Sequence, residues 1–177
     1  MALSKVDAVN FLTGTIPSGN VANATLNAVT ALPGAIATGK VLQVVTATDN
    51  TSRSSTSSSF VTASNTLAAT ITPSATSSKI FVTTQFTVGL AADDQVCTYT
   101  LNRDSTDLGD SGGEGMQRCA AYNVGWDVYF TCAMSILDSP SSTSALTYQV
   151  YGKTSKSSFY INYGAGIASI TAYEIAG

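Results

Sequence analysis

Trp126-Asp127-Val128-Tyr129-Phe130-Thr131-Cys132-Ala133-Met134-Ser135-Ile136 is the stretch that decides the fold class. Every second residue, Trp126, Val128, Phe130, Cys132, Met134 and Ile136, is apolar. Such alternation, at about 180° per residue, is the mark of a β-strand with one buried face; a helix would scatter the same side chains around its axis. This segment is therefore predicted to be a core strand lining a sandwich interior. The tail Leu137-Asp138-Ser139-Pro140 reads as a turn.

The text on either side follows the same rule. In Lys79 to Val88, residues Ile80, Val82, Thr84, Phe86 and Val88 share one face, and Phe81, Thr83, Gln85 and Thr87 the other. Further strands are predicted at Val41–Ala47, Phe60–Ala63, Leu67–Ile71, Gln95–Arg103, Gly115–Tyr122, Leu146–Tyr151, Phe159–Tyr163 and Ile167–Ile175. They are separated by Ser, Gly, Asn and Asp clusters, the pattern of an antiparallel sandwich or barrel. The Ser/Thr-rich run from Thr48 to Ser59 reads as a long connecting loop or a polar edge.

Composition agrees. The chain of 177 residues is 44% hydrophobic and 11% charged, and its net charge is −3. That is too apolar for a disordered chain and leaves solubility to Ser and Thr. Branched and aromatic residues suit a pleated surface, while helix formers are scarce. Eight scattered basic residues give no footprint for a phosphate backbone or an anionic membrane, so neither nucleic acid nor membrane is an expected partner. No secretion signal and no long apolar span are read.

Residues 1–39 differ from the rest. They show neither alternation nor a sustained helical period, and contain the turn-rich texts Gly14-Thr15-Ile16-Pro17-Ser18-Gly19-Asn20 and Leu32-Pro33-Gly34. Apolar anchors Phe11, Leu12, Ile16, Val21, Leu26 and Leu32 are present without enough company to form a core. The expectation is an extended N-terminal docking arm over 1–39, followed by an all-β, antiparallel, jelly-roll-like β-sandwich over 40–177.

Several constellations invite a chemical reading. Gly109-Asp110-Ser111-Gly112-Gly113 spells the loop around the nucleophile of chymotrypsin-like proteases, but that mechanism needs an imidazole and the chain contains no histidine. Nor does an SxxK pattern surround Ser111. Asp104, Asp107, Asp110 and Glu114 crowd one segment at spacings foreign to an EF-hand, and read as a solvated acidic loop rather than a cation site or the acids of a depolymerase. Cys97, Cys119 and Cys132 fit no zinc spacing and read as buried thiols. Tyr122, Trp126, Tyr148, Tyr151, Tyr160 and Tyr163 offer either core packing or a sugar-binding surface. No catalytic residue, metal site or cofactor is expected.

Four phrases carry a resemblance: Gly39-Lys40-Val41-Leu42-Gln43-Val44-Val45, the stretch Ile71-Thr72-Pro73-Ser74-Ala75-Thr76-Ser77-Ser78-Lys79-Ile80-Phe81-Val82, Leu137-Asp138-Ser139-Pro140, and Tyr173-Glu174-Ile175-Ala176-Gly177. They resemble recurring phrases in short bacteriophage virion appendage proteins: capsid decoration (cement) proteins, head fibres and the head domains of tail fibres of aquatic phages. The resemblance implies a β-sandwich homotrimer on the virion surface, bound through its N-terminal side to the major capsid protein or another virion protein. It implies a non-catalytic structural role. A tail-fibre tip recognising host glycans is the alternative, and a polysaccharide depolymerase is a further one. The shortness of the arm favours capsid decoration, since about forty residues leave little chain both to span a distance and to form an adaptor.

Overall fold

A computed structural model describes residues 40–177 apart from 91, 93, 110–111, 123–126 and 165. The proposed arm anchors Phe11, Leu12, Ile16, Val21, Leu26 and Leu32 therefore lie outside the described residues, as does Trp126. No described residue is helical.

The described residues form twelve strands: β1 (Val41–Asp49), β2 (Arg53–Ser55), β3 (Val61–Thr62), β4 (Ala68–Ile71), β5 (Lys79–Leu90), β6 (Gln95–Arg103), β7 (Thr106–Asp107), β8 (Gln117–Ala121), β9 (Val128–Asp138), β10 (Leu146–Thr154), β11 (Phe159–Ile161) and β12 (Ala168–Ile175). Many of the short ones continue one another. β11 and β12 pair with successive parts of β5, and β1 and β2 pair with β12 and β11 in turn. In the second sheet β4 and β3 share one side of β10, while β7 and β8 share one side of β6.

Each sheet thus consists of four rows, all antiparallel. The first runs β9, β5, β11 with β12, β1 with β2; the second runs β3 with β4, β10, β6, β7 with β8. Numbered along the chain, the rows stand in the orders 6-3-8-1 and 2-7-4-5. That double Greek key is the jelly roll. The all-β jelly-roll sandwich expected from alternation is the observed architecture.

Alternation also gets the buried faces right. Ile80, Val82, Thr84, Phe86 and Val88 of β5 all point inward and are buried. At the centre, Tyr99 from β6 sits between Phe86 and Phe159, edge-on to both, at ring separations of 5.1 and 5.8 Å. Its hydroxyl donates to the Tyr160 carbonyl at 3.0 Å, which satisfies the one polar atom of a fully buried ring. Replacing it by Phe keeps the packing and removes only that bond, so Tyr99→Phe is expected to cost about 1 kcal/mol in urea unfolding.

Three readings need adjustment. The strand over Trp126–Ile136 is shifted to Val128–Asp138, so Leu137 and Asp138 belong to it rather than to a turn. It is an edge row: Cys132 and Met134 are buried, whereas Val128, Phe130 and Ile136 are only partly covered. The Ser/Thr run contains β2, which makes it the polar edge of the two alternatives. Finally, β6 is buried on both faces. Thr98, Thr100 and Asn102 are covered although they point away from the core, because the segment around Gly109 and Gly115 folds over them. A Cβ on Gly115 would lie 2.7 Å from Thr98 and 3.0 Å from the Phe60 ring.

Candidate interaction face

The acidic segment that covers β6 is used internally. Asp107 accepts hydrogen bonds from the Thr100 hydroxyl (2.6 Å) and the Gly109 N–H (2.8 Å). Asp104, at φ 50°, exchanges bonds with the Thr147 backbone: its N–H donates to Thr147 O at 2.8 Å and its carboxylate accepts from Thr147 N at 3.0 Å. Glu114 is exposed, and Asp110 and Ser111 lie outside the described residues. A recess of about 240 Å³ on this side is lined by Ser58, Val96, Thr98, Lys153, Thr154 and Ser155, with no carboxylate in its wall. Among the described residues no group of three His, Cys, Asp or Glu side chains is placed to hold a metal ion.

The cysteines converge in the core. Cys97 and Cys119 face each other across β6 and β8, and Cys132 of the other sheet is buried next to Cys119. Burial pushes the Cys97 thiol up to about 11. The adjacent Cys119 thiol, then burial, holds Cys132 far above the ordinary thiol range. Neither is a thiolate at neutral pH, so they pack as small apolar groups.

Two carboxylates, both in register with Ile80, hold one end of the sandwich. Glu174, 1% exposed, accepts hydrogen bonds from the Ser74 N–H and hydroxyl (2.6 Å each), the Ser78 hydroxyl (2.7 Å) and the Gln43 amide (2.6 Å). Burial pushes this carboxyl up, but those donors outweigh it and leave it at about 2. Asp138 accepts from one Arg103 nitrogen at 2.8 and 2.7 Å and from the Tyr148 hydroxyl at 2.7 Å. It thereby ties β9 of one sheet to β6 and β10 of the other.

The surface left for a partner is the outer face of the first sheet. Cross-strand register sets Val44, Tyr173, Phe81 and Leu137 in one line, with the Phe81 and Tyr173 rings 6.1 Å apart. Val44 and Leu137 are each about half exposed, at 53% and 51%. The next line is hydroxylic: Thr46, Thr171, Thr83 and Ser135, the first two joined by a 3.1 Å hydrogen bond. At the far end Tyr163 stacks on Tyr129 (5.2 Å, 28°) and meets Tyr160 at 4.8 Å. Its ring lies over Gly89, where a Cβ would come within 2.7 Å, and its hydroxyl donates to Asp127 at 3.3 Å.

The aromatic residues picked from sequence are therefore split up. Among those described, only Tyr160 and Tyr163 meet; Tyr148 is in the core, Tyr151 is on the outward side of the second sheet, and Tyr122 stands exposed at the end of β8. Tyr129 was the member missed. The signal for it was present, since it occupies an outward position of the alternating strand.

No protein-family model matches the chain, and no curated protein matches it. Among solved structures it is similar to the VP2 protein of infectious bursal disease virus. A point mutant in derived T=1 particles is 19% identical with a TM-score of 0.36, covering 75% of this chain and 36% of that one. The VP2 subviral particle is 16% identical with a TM-score of 0.37, covering 75% and 37%. A structure of the Gx strain is 15% identical with a TM-score of 0.35, covering 76% and 36%. The chain spans little more than a third of the length of these proteins.

Proposed function

We propose that the chain is a non-catalytic structural protein of a bacteriophage particle, a capsid decoration or head-fibre protein. Residues 1–39 serve as the docking arm, binding the major capsid protein or another virion protein, and the sandwich over 40–177 forms a surface-exposed homotrimer. The observation that carries this reading is the place of the four phrases resembling phage appendage proteins. Gln43, Ser74, Ser78 and Glu174, from three of them, join in one buried network, and Asp138 of the fourth ties the two sheets. The resemblance thus falls on the residues that hold the whole fold, as expected of a shared architecture rather than a borrowed loop. Jelly rolls recur in viral capsid modules as well as in lectins, an analogy at the level of fold only.

Cryo-EM of intact particles tests this directly: the sandwich is expected on the capsid surface, and density solely at the tail tip would overturn the decoration reading. Replacing Phe11, Leu12 and Ile16 together by Ser is expected to abolish rebinding of the purified protein to particles that lack it. Unchanged rebinding would remove the docking role from these residues.

A second reading, recognition of host glycans, is favoured by the exposed Tyr129 and the half-buried Tyr160 and Tyr163 grouped beside Asp127. Aromatic rings with an adjacent acceptor suit the apolar face and hydroxyls of a pyranose. Glycan-array binding lost in Tyr163→Ala would support it.

A further inference from the structure

We infer that copies of this chain associate through the outer face of the first sheet, which is buried against a second copy together with the unpaired edge of β9. The inference rests on, and deepens, the proposed homotrimer.

Three observations point there. The first is charge. Between Lys79 at one end and Asp127 at the other, the register lines that cross this face contain no ionisable side chain except the tyrosine phenols. The outward side of the second sheet instead carries Lys153 and Arg118, and Gly109 and Gly115 already lie against part of it. Interface centres are depleted of charge and enriched in aromatic residues, as this face is.

The second is the edge. β9 runs for eleven residues along β5 and has no strand partner on its other side among the described residues. Its sequence, VYFTCAMSILD, holds no Lys, Arg or Pro. A monomer usually protects so long an edge with such residues, with a bulge or by keeping the strand short. Here the register with β5 is unbroken from end to end.

The third is size. Four rows about 4.8 Å apart, along a strand of twelve residues at about 3.3 Å each, give a face on the order of 700 Å². A stable interface removes about 800 Å² from each partner, so the face with its β9 edge is large enough. A surface without charge offers nothing for a charged partner to match, and it meets its own copy without like-charge repulsion. Around a three-fold axis each contact joins different parts of this surface, the β9 edge of one copy against the sheet face of the next, and such a ring closes and leaves no edge for open-ended growth.

Light scattering on the full chain tests the assignment. The wild-type protein is expected at three times the chain mass, and Thr83→Lys and Leu137→Asp at the mass of one chain, with self-association weakened at least 100-fold and far-UV circular dichroism unchanged. Thr70→Lys, on the outward side of the second sheet, is expected to remain a trimer. As a measure that needs no variant, β9 amide exchange in the wild type is expected to speed up on dilution below the concentration at which the trimer dissociates.

A monomeric wild-type protein, or a trimer that both face variants leave intact, would overturn the inference. So would exchange of β9 independent of concentration, or cross-links placing residues 1–39 over the face of a monomer, which would make the arm its occupant. A trimer indifferent to the face variants but still located on the capsid would sink this interface and spare the proposed function. A face-dependent trimer absent from particles would do the reverse. Burial of Tyr129 and Tyr163 between copies would also remove the glycan reading, because both need the same face.

Discussion

Glu174→Gln is expected to lower the unfolding free energy by about 3 kcal/mol, moving the urea midpoint down by at least 1 M for a sandwich whose denaturant slope is about 2 kcal/mol/M. Donors from Ser74, Ser78 and Gln43 converge on a carboxylate that has no access to water. An amide of the same shape can keep its oxygen where Ser74 and Ser78 donate, but then turns its NH₂ group toward the Gln43 amide nitrogen, which cannot accept from it. The pH dependence gives an independent check. The folded carboxyl sits at about 2 against an ordinary value of 4.5, a difference worth on the order of 3 kcal/mol. Because the folded value is the lower one, this stability is fully present above pH 4.5 and is lost as pH falls toward 2. The gap between wild type and Glu174→Gln should therefore be flat near neutrality and close between pH 4.5 and 2. A gap that stays constant through that window would mean that the charge on Glu174 contributes nothing.

The second large effect is expected at Asp138. Removing its carboxylate in Asp138→Ala leaves the Arg103 guanidinium, only 22% exposed, without its counter-ion, and the fully buried Tyr148 phenol without its acceptor. Breaking one side of such a partly buried pair costs about 3 kcal/mol, most of it from the groups left behind. Removing those groups as well should then recover much of the loss. The triple variant Asp138→Ala, Arg103→Met, Tyr148→Phe is expected to be at least 1 kcal/mol more stable than Asp138→Ala alone. Equal stability of the two would show that the three side chains are not coupled.

These two sites explain why short phrases at distant positions in the chain behave as one signature. Gln43 lies in β1, Ser74 and Ser78 in the connection between β4 and β5, and Glu174 in β12. They are neighbours only because the double Greek key brings the first and last rows of the first sheet side by side and runs the β4–β5 connection past their ends. Ser74 and Ser78 look like loop filler in the sequence, yet they are two of the donors that keep a buried carboxylate ionised. A comparable node holds the β1–β2 junction. There burial pushes the Asp49 carboxyl up, while bonds from Ser64, the Thr51 N–H and Arg53 outweigh it and hold it below the usual range.

By itself, the sequence determined the class of fold and the inner face of each long strand. A period of two is a local property: Ile80, Val82 and Phe86, or Cys132 and Met134, can share a buried face only if the backbone is extended, whatever else the chain does. The absence of histidine likewise disposed of the protease-like Gly109–Gly113 text without a structure. What only the tertiary structure decided was which strands became edges, which polar residues were buried, and which tyrosines met. Alternation does not distinguish a central strand from an edge, so β9 read as a core strand although, among the described residues, one of its sides has no strand beside it. Burial of Thr98 and Thr100 came from a segment folding back over them, and the Tyr129, Tyr160 and Tyr163 group came from β9 and β11 set in register on either side of Gly89 in β5, with Tyr163 in the turn that follows β11. Contacts of that kind are set by topology, which joins residues far apart in the chain, and no local period records them.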